Sequence, residues 1–223
     1  MFLHFLIIII DLICLVLYNC FEVLILTEEK DIINENNQKP GKDFILNYWR
    51  QYKLLEKDFI DTADYVSISK QNNSAFSNEY LKLILCICGE IDSITAVLVP
   101  KLTKNNSVPA RLDALFKMRN NFKFVKIQTC FPFEKIHLTP FVKFDVSESG
   151  AGSAPWWKAY NELKHNRFEE LPNGRKVLWE ANLENTLNAM AALYALLCEL
   201  SSKCGINEAD IYMKPRLFES EHN

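Results

Sequence analysis

A mainly α-helical bundle with one small β-hairpin insertion is the fold class this sequence predicts, and three observations predict it. Apolar residues recur at three- and four-residue spacing over several long stretches. Glycine is sparse, at 6 of 223 residues. One central stretch alone, about 122–144, alternates apolar and basic residues. The first pattern belongs to helices of 3.6 residues per turn, the last to extended chain. At 49% hydrophobic and 12% aromatic residues, the chain has ample material for a core.

Residues 2–26, FLHFLIIIIDLICLVLYNCFEVLIL, exceed the length that spans a bilayer, roughly 20 apolar residues. No Lys or Arg precedes the run and no A-x-A-like cleavage site follows it, so it lacks the parts of a signal peptide. Asp11 and Glu22 lie inside it, and each is costly at membrane depth. The flank Thr27-Glu28-Glu29-Lys30-Asp31 is acidic and sets no orientation. Residues 1–26 therefore admit three readings: a membrane helix or uncleaved anchor, sequence translated from a start placed too early, or a buried helix. The first implies a membrane-anchored protein and the others a cytoplasmic one. Residues 27–42, closing on Pro40-Gly41, read as a linker.

The helical domain is expected over 43–204. Phe44, Tyr48, Trp49, Tyr52, Leu55 and Phe59 mark a first helix running to about Tyr65, and Asn72-Asn73-Ser74 breaks the pattern. Ser77 has the position of an N-cap for a second helix over about 78–98, with Leu81, Ile84, Leu85, Cys88, Ile91 and Ile94 on its apolar face and Pro100 ending it. Glu90 falls beside that stripe, as a solvated edge residue or a site residue. A short helix fits 109–120. Lys123, Lys126, Lys135 and Lys143 interleave with aromatics in the predicted hairpin. Such a strand can stack single-stranded nucleic acid, or simply turn a solvated lysine face outward. Pro155 suits the first position of the next helix, Leu171-Pro172-Asn173-Gly174 reads as a turn, and a long helix fits 177–203. In that helix alanines permit close approach of neighbours, and Asn182, Asn185 and Asn188 repeat along one side, placed to bond the polar groups of the preceding helix. The tail, 205–223, reads as polar and peripheral.

Net charge is −3, which excludes a bulk binder of polyanions and leaves only local contacts with nucleic acid. The seven cysteines have no zinc-site spacing, so a reducing compartment and no disulfide framework are expected. Phosphate-loop, serine-hydrolase and zinc-protease motifs are absent, and no metal or cofactor is expected.

The stretch richest in chemistry is Pro155-Trp156-Trp157-Lys158-Ala159-Tyr160-Asn161-Glu162-Leu163-Lys164-His165-Asn166-Arg167. Helical spacing puts Trp157, Asn161 and His165 on one stripe and Tyr160, Lys164 and Arg167 on its neighbour. An imidazole flanked by cations and an amide fits a site, and equally a satisfied polar patch in a bundle interface.

Three blocks, Tyr48-Trp49 with Leu55-Glu56-Lys57-Asp58-Phe59, then Glu90-Ile91-Asp92, then the tryptophan segment with Ala181-Asn182, Asn185 and Asn188-Ala189, resemble a set of uncharacterised bacterial proteins. That set is similar to the HEPN superfamily of helical bundles, which includes RNases of toxin–antitoxin and phage-defence systems. The resemblance spans about Tyr48 to Leu197. The superfamily's RNase motif, an Arg, a polar residue, three further residues and a His, falls on Tyr160, Asn161 and His165, so Tyr160 stands where the motif has Arg. The resemblance implies a HEPN-like bundle acting as a homodimer, with RNA and a cognate antitoxin or defence protein as partners. It also implies one of two functions. One is a non-catalytic binding or regulatory module in stress or phage defence. The other is a metal-independent endoribonuclease, with His165 moving protons, Lys164 or Arg167 stabilising charge and Asn161 orienting. Trp156, Trp157, Glu90, Asn182 and Asn185 are the expected binding residues.

Overall fold

The structure, a computed structural model, describes residues 42–103, 125–142, 154–171, 173–204, 206 and 214–220. Helix α1 (Lys42–Asp61) buries Ile45, Trp49, Tyr52, Glu56 and Phe59, a stripe of alternating four- and three-residue steps with a carboxylate in its middle. It ends at Asp61 rather than Tyr65. There Thr62 turns its hydroxyl onto the carbonyl of Phe59 (2.6 Å), and the chain tightens into a 3₁₀ turn over Thr62–Asp64. A second such turn, Lys70–Asn72, leads to α2 (Asn78–Thr103). Ser77 caps α2 as expected, its Oγ accepting from the amide of Tyr80 at 3.0 Å.

Pro100 does not end α2, which continues to Thr103. A proline lacks an amide donor and its ring crowds the carbonyl four residues back, but its φ is already helical, so a helix can carry it at a cost.

Helix α3 (Pro155–Asn166) begins at the expected proline and buries Trp156, Ala159, Tyr160 and Leu163. The long helix expected over 177–203 divides instead. Val177–Glu180 is a 3₁₀ turn, Ala181 leaves helical geometry with ψ 61, and α4 (Leu183–Cys204) starts afresh. Asn182 is its N-cap and accepts from the amide of Asn185 at 3.0 Å. The two amides before it, Leu183 and Glu184, donate to the carbonyls of Ala75 (2.9 Å) and Asn73 (3.1 Å). The first turn of α4 is thus satisfied by the chain itself.

Helices α2 and α4 form the main packed pair, with α3 against both. The buried face of α4 includes Ala189, Ala191, Ala192 and Ala195. Helix α1 joins through large side chains. Trp49 donates from Nε1 to Ser201 Oγ at 2.8 Å, Phe59 meets Tyr80, and the rings of Trp49, Tyr52 and Tyr194 lie within 5.5–6.1 Å of one another.

The hairpin is present as β1 (Ile127–Thr129) and β2 (His137–Leu138), antiparallel with Ile127 opposite Leu138. Its turn carries a cis peptide at Phe131–Pro132, with the amide of Phe133 donating to the carbonyl of Cys130. The expected hairpin gains a third strand, β3 (Phe218–Ser220), antiparallel to β1 in the order β2-β1-β3. The tail read as peripheral is therefore docked here, with Leu217 and Phe218 buried.

The hydrophobic run 2–26, the helix expected at 109–120, Lys123 and Lys143, and all of the expected linker 27–42 except Lys42, which already belongs to α1, lie outside the described residues. Among the described residues no helix is long and apolar enough to cross a membrane.

Candidate functional site: a polar cavity beside the amide row of the last helix

Helix α3 carries the expected catalytic residues, which line neither of the two cavities described below. Asn161, Lys164 and His165 are exposed and Arg167 is half-buried. Asn161 donates its amide to the carbonyl of Trp157 at 3.0 Å, one turn back on its own helix. Lys164 lies over the Tyr160 ring, Nζ 5.5 Å from the centroid, a cation–π contact. Tyr160 occupies the buried side of α3, its hydroxyl 3.5 Å from a carboxylate oxygen of Asp92 on α2. The three motif residues, Tyr160, Asn161 and His165, thus share one helix, and the polar side chain of Asn161 is spent on the helix backbone.

The two tryptophans divide their roles. Trp156 is buried and donates from Nε1 to the carbonyl of Pro140 at 2.7 Å, edge-on to Phe141. It ties α3 to the chain just after β2. Trp157 is half-buried, with its ring 5.0 Å from that of Tyr160. Glu90 is half-buried on α2, one turn beyond Cys86. The Cys86 thiol is pushed above its usual value, chiefly by burial and also by the charge of Glu90.

A cavity of about 560 Å³ lies elsewhere, between the start of α4, the turn before α2, and β2. Its apolar lining includes Leu138, Trp156 and Leu187. Asn182, Glu184, Asn185 and Asn188 form a wall along the start of α4. Lys70, Arg175 and His137 also line it.

The asparagines do not bond to α3, as their spacing had suggested. Asn182 donates to the carbonyl of Trp179 (3.0 Å), Asn185 to the carbonyl and carboxylate of Glu180 (2.9 and 3.3 Å), and Asn188 to the carbonyl of Glu184 (2.9 Å). The 3₁₀ turn ahead of α4 folds its carbonyls back over the helix start, so the nearest acceptors are local rather than across the bundle. Glu180 is fully engaged, since Arg175 reaches its other oxygen at 3.3 Å.

Of the expected binding residues, the cavity gathers Trp156, Asn182 and Asn185 and leaves out Trp157 and Glu90. Lys70, His137, Arg175 and Glu184 escaped sequence reasoning. Each sits in a turn, a two-residue strand or the first turn of a helix, where periodicity carries no signal. Asn188 was visible as the third member of the amide row.

A second cavity, about 420 Å³, lies between the end of α1 and the start of α2. Its carboxylates are neutralised: Lys82 pairs with Asp58 (3.4 Å) and Glu79 (2.5 Å), and Lys57 with Asp61 (2.6 Å). Among the described residues no group of His, Cys, Asp and Glu is placed to hold a metal ion.

No family model, curated protein or solved structure matches this chain.

Proposed function

We propose that this chain is a non-catalytic, HEPN-like binding module with a regulatory role in stress or phage defence, and that it works by holding a ligand rather than transforming one. One observation carries the reading: the polar cavity and the motif of α3 are separate places. Asn161, Lys164, His165 and Arg167 do not line the cavity. A proton-transfer residue must come within hydrogen-bond reach of its substrate, directly or through one water. On α3 the imidazole stands on an exposed helix face, and Asn161 is committed to Trp157.

The second reading is the metal-independent endoribonuclease, with Tyr160 in place of the motif's Arg. It draws support from the exposure of Asn161, Lys164 and His165 along one side of α3. A homodimer would bring a second copy of that face opposite the first and so build the cleft between two chains. RNA, and a cognate antitoxin or defence protein, are the partners of this reading.

One assay separates the two. The full chain is incubated with RNA in the presence of EDTA, as wild type and as His165→Ala. The binding-module reading expects no cleavage by either protein. Cleavage by wild type that disappears in His165→Ala overturns it and establishes the ribonuclease.

A further inference from the structure

The cavity's charges and hydrogen-bond groups specify a ligand more narrowly than its polarity does. The Arg175–Glu180 pair is closed, because Glu180 gives one oxygen to Arg175 and the other to the Asn185 amide. Two charged side chains of the lining remain without an ion-pair partner among the described residues, the ammonium of Lys70 and the carboxylate of Glu184. They carry opposite signs.

The amide row sharpens the picture. Asn185 is only 7% exposed, and Asn188 is half-buried. Asn185 spends both N–H groups on Glu180, whereas Asn188 spends one on the carbonyl of Glu184 and keeps a second donor. The amide oxygen of each is a remaining acceptor. Neither oxygen receives a hydrogen bond from the described residues. Glu184 and Asn188 stand one turn apart on α4, with Asn185 beside them. This wall therefore offers two amide oxygens and a carboxylate, and all three accept. A primary ammonium has three donors and no acceptor. On the same cavity Lys70 supplies a donor with positive charge. Leu138, Trp156 and Leu187, all buried, are apolar members of the same lining.

We propose that the cavity binds a small zwitterion, its ammonium held by Glu184, Asn185 and Asn188, its carboxylate by Lys70, and its apolar middle on Trp156. A dipeptide with free termini and apolar side chains matches the volume of about 560 Å³, which falls within the usual range for small-molecule sites. The proposal rests on the binding-module reading above and names the ligand class of its site. The helix terminus is not the recognition element, since its first amides are already bonded to Asn73, Ala75 and Asn182.

The test is calorimetric titration of the full chain with leucyl-leucine, its N-acetyl form and its C-terminal amide. The free dipeptide is expected to bind saturably and each blocked form at least tenfold more weakly. Glu184→Gln should make the free and N-acetyl forms equivalent, and Lys70→Ala should do the same for the free and amide forms. Both side chains are exposed, so neither substitution threatens the fold. Absence of saturable binding by the free dipeptide, or equal binding of all three forms, overturns the proposal. Failure of the parent reading would show separately, as His165-dependent RNA cleavage with the titration intact.

Discussion

Two polar sites on two helices have opposite characters. On α3, Asn161, Lys164 and His165 stand in solvent and contact little beyond their own helix. On α1, Glu56 is 1% exposed and forms a junction. Its Oε1 accepts from the backbone amides of Arg216 (2.7 Å) and Leu217 (2.9 Å) and from the Tyr52 hydroxyl (3.3 Å), while Lys53 pairs with its other oxygen. Lys53 in turn donates to the carbonyl of Lys214 at 2.9 Å. The α3 group looks like chemistry in the sequence and acts locally in the fold. The α1 group sits inside an apolar stripe and ties the chain's two ends of the domain together. A polar residue earns its structural weight from what it must satisfy when buried, not from the company it keeps in sequence.

The largest effect that would sharpen this contrast is expected at Glu56. Glu56→Ala leaves two amides, a tyrosine hydroxyl and a largely buried lysine without their acceptor. The loss should be about 3 kcal/mol of unfolding free energy, by analogy with other broken buried pairs. Urea denaturation measures it, and a loss below about 1 kcal/mol would break the comparison.

Alkaline pH should reveal the same region next. The Tyr52 phenol is raised well above its ordinary value of 10.0, first by burial and then by the charge of Glu56. A raised value means the folded state holds the proton more tightly. Its contribution to stability is complete below the unfolded value and is lost as pH climbs through the folded one. Cys88, buried on α2, is likewise raised well above 9.0, first by burial and then by Asp92. Wild-type urea midpoints should therefore begin to fall above about pH 9 and fall further above about pH 10. Tyr52→Phe should flatten the second part of the decline; an unchanged profile would remove Tyr52 from the account.

The smallest effect belongs to α3. His165→Ala should change stability by less than about 0.5 kcal/mol, as for other surface substitutions. A loss as large as that of Glu56→Ala would mean that the exposed face of α3 is covered in the protein's working form.

Much of the helical framework was legible, because the signals are local. Ser77 before α2 and Pro155 at the start of α3 act within one turn of themselves. Spacing found Trp49, Tyr52 and Phe59 on α1 and Ile84, Cys88, Ile91 and Ile94 on α2, whereas Phe44, Tyr48, Leu55, Leu81 and Leu85 lie only half-buried beside the stripes. Docking of the tail was not legible, since Leu217 and Phe218 are two apolar residues in a polar context whose partners lie far back in the chain. Asn182 was read as one step of a helical ladder, yet it is a cap, a role that depends on the break at Ala181 rather than on spacing. Glu56 belongs to a shared block, but its part in the fold was not legible, because the expected stripe runs through Leu55 and its donors Arg216 and Leu217 lie far along the chain. The cavity was half legible: Trp156, Asn182 and Asn185 were singled out, whereas Lys70, Arg175 and Glu184 join them only through tertiary folding.

The bonds from Glu56 to the amides of Arg216 and Leu217 cross 160 and 161 residues. During synthesis, Glu56 emerges long before its acceptor sites are filled, and β1 and β2 can pair while the third strand is still to be made. Contacts this distant in sequence are slow to form. Until they form, the carboxylate has only its neighbours Tyr52 and Lys53 on α1 as partners, and of the three strands of the sheet the edge strand β3 is translated last.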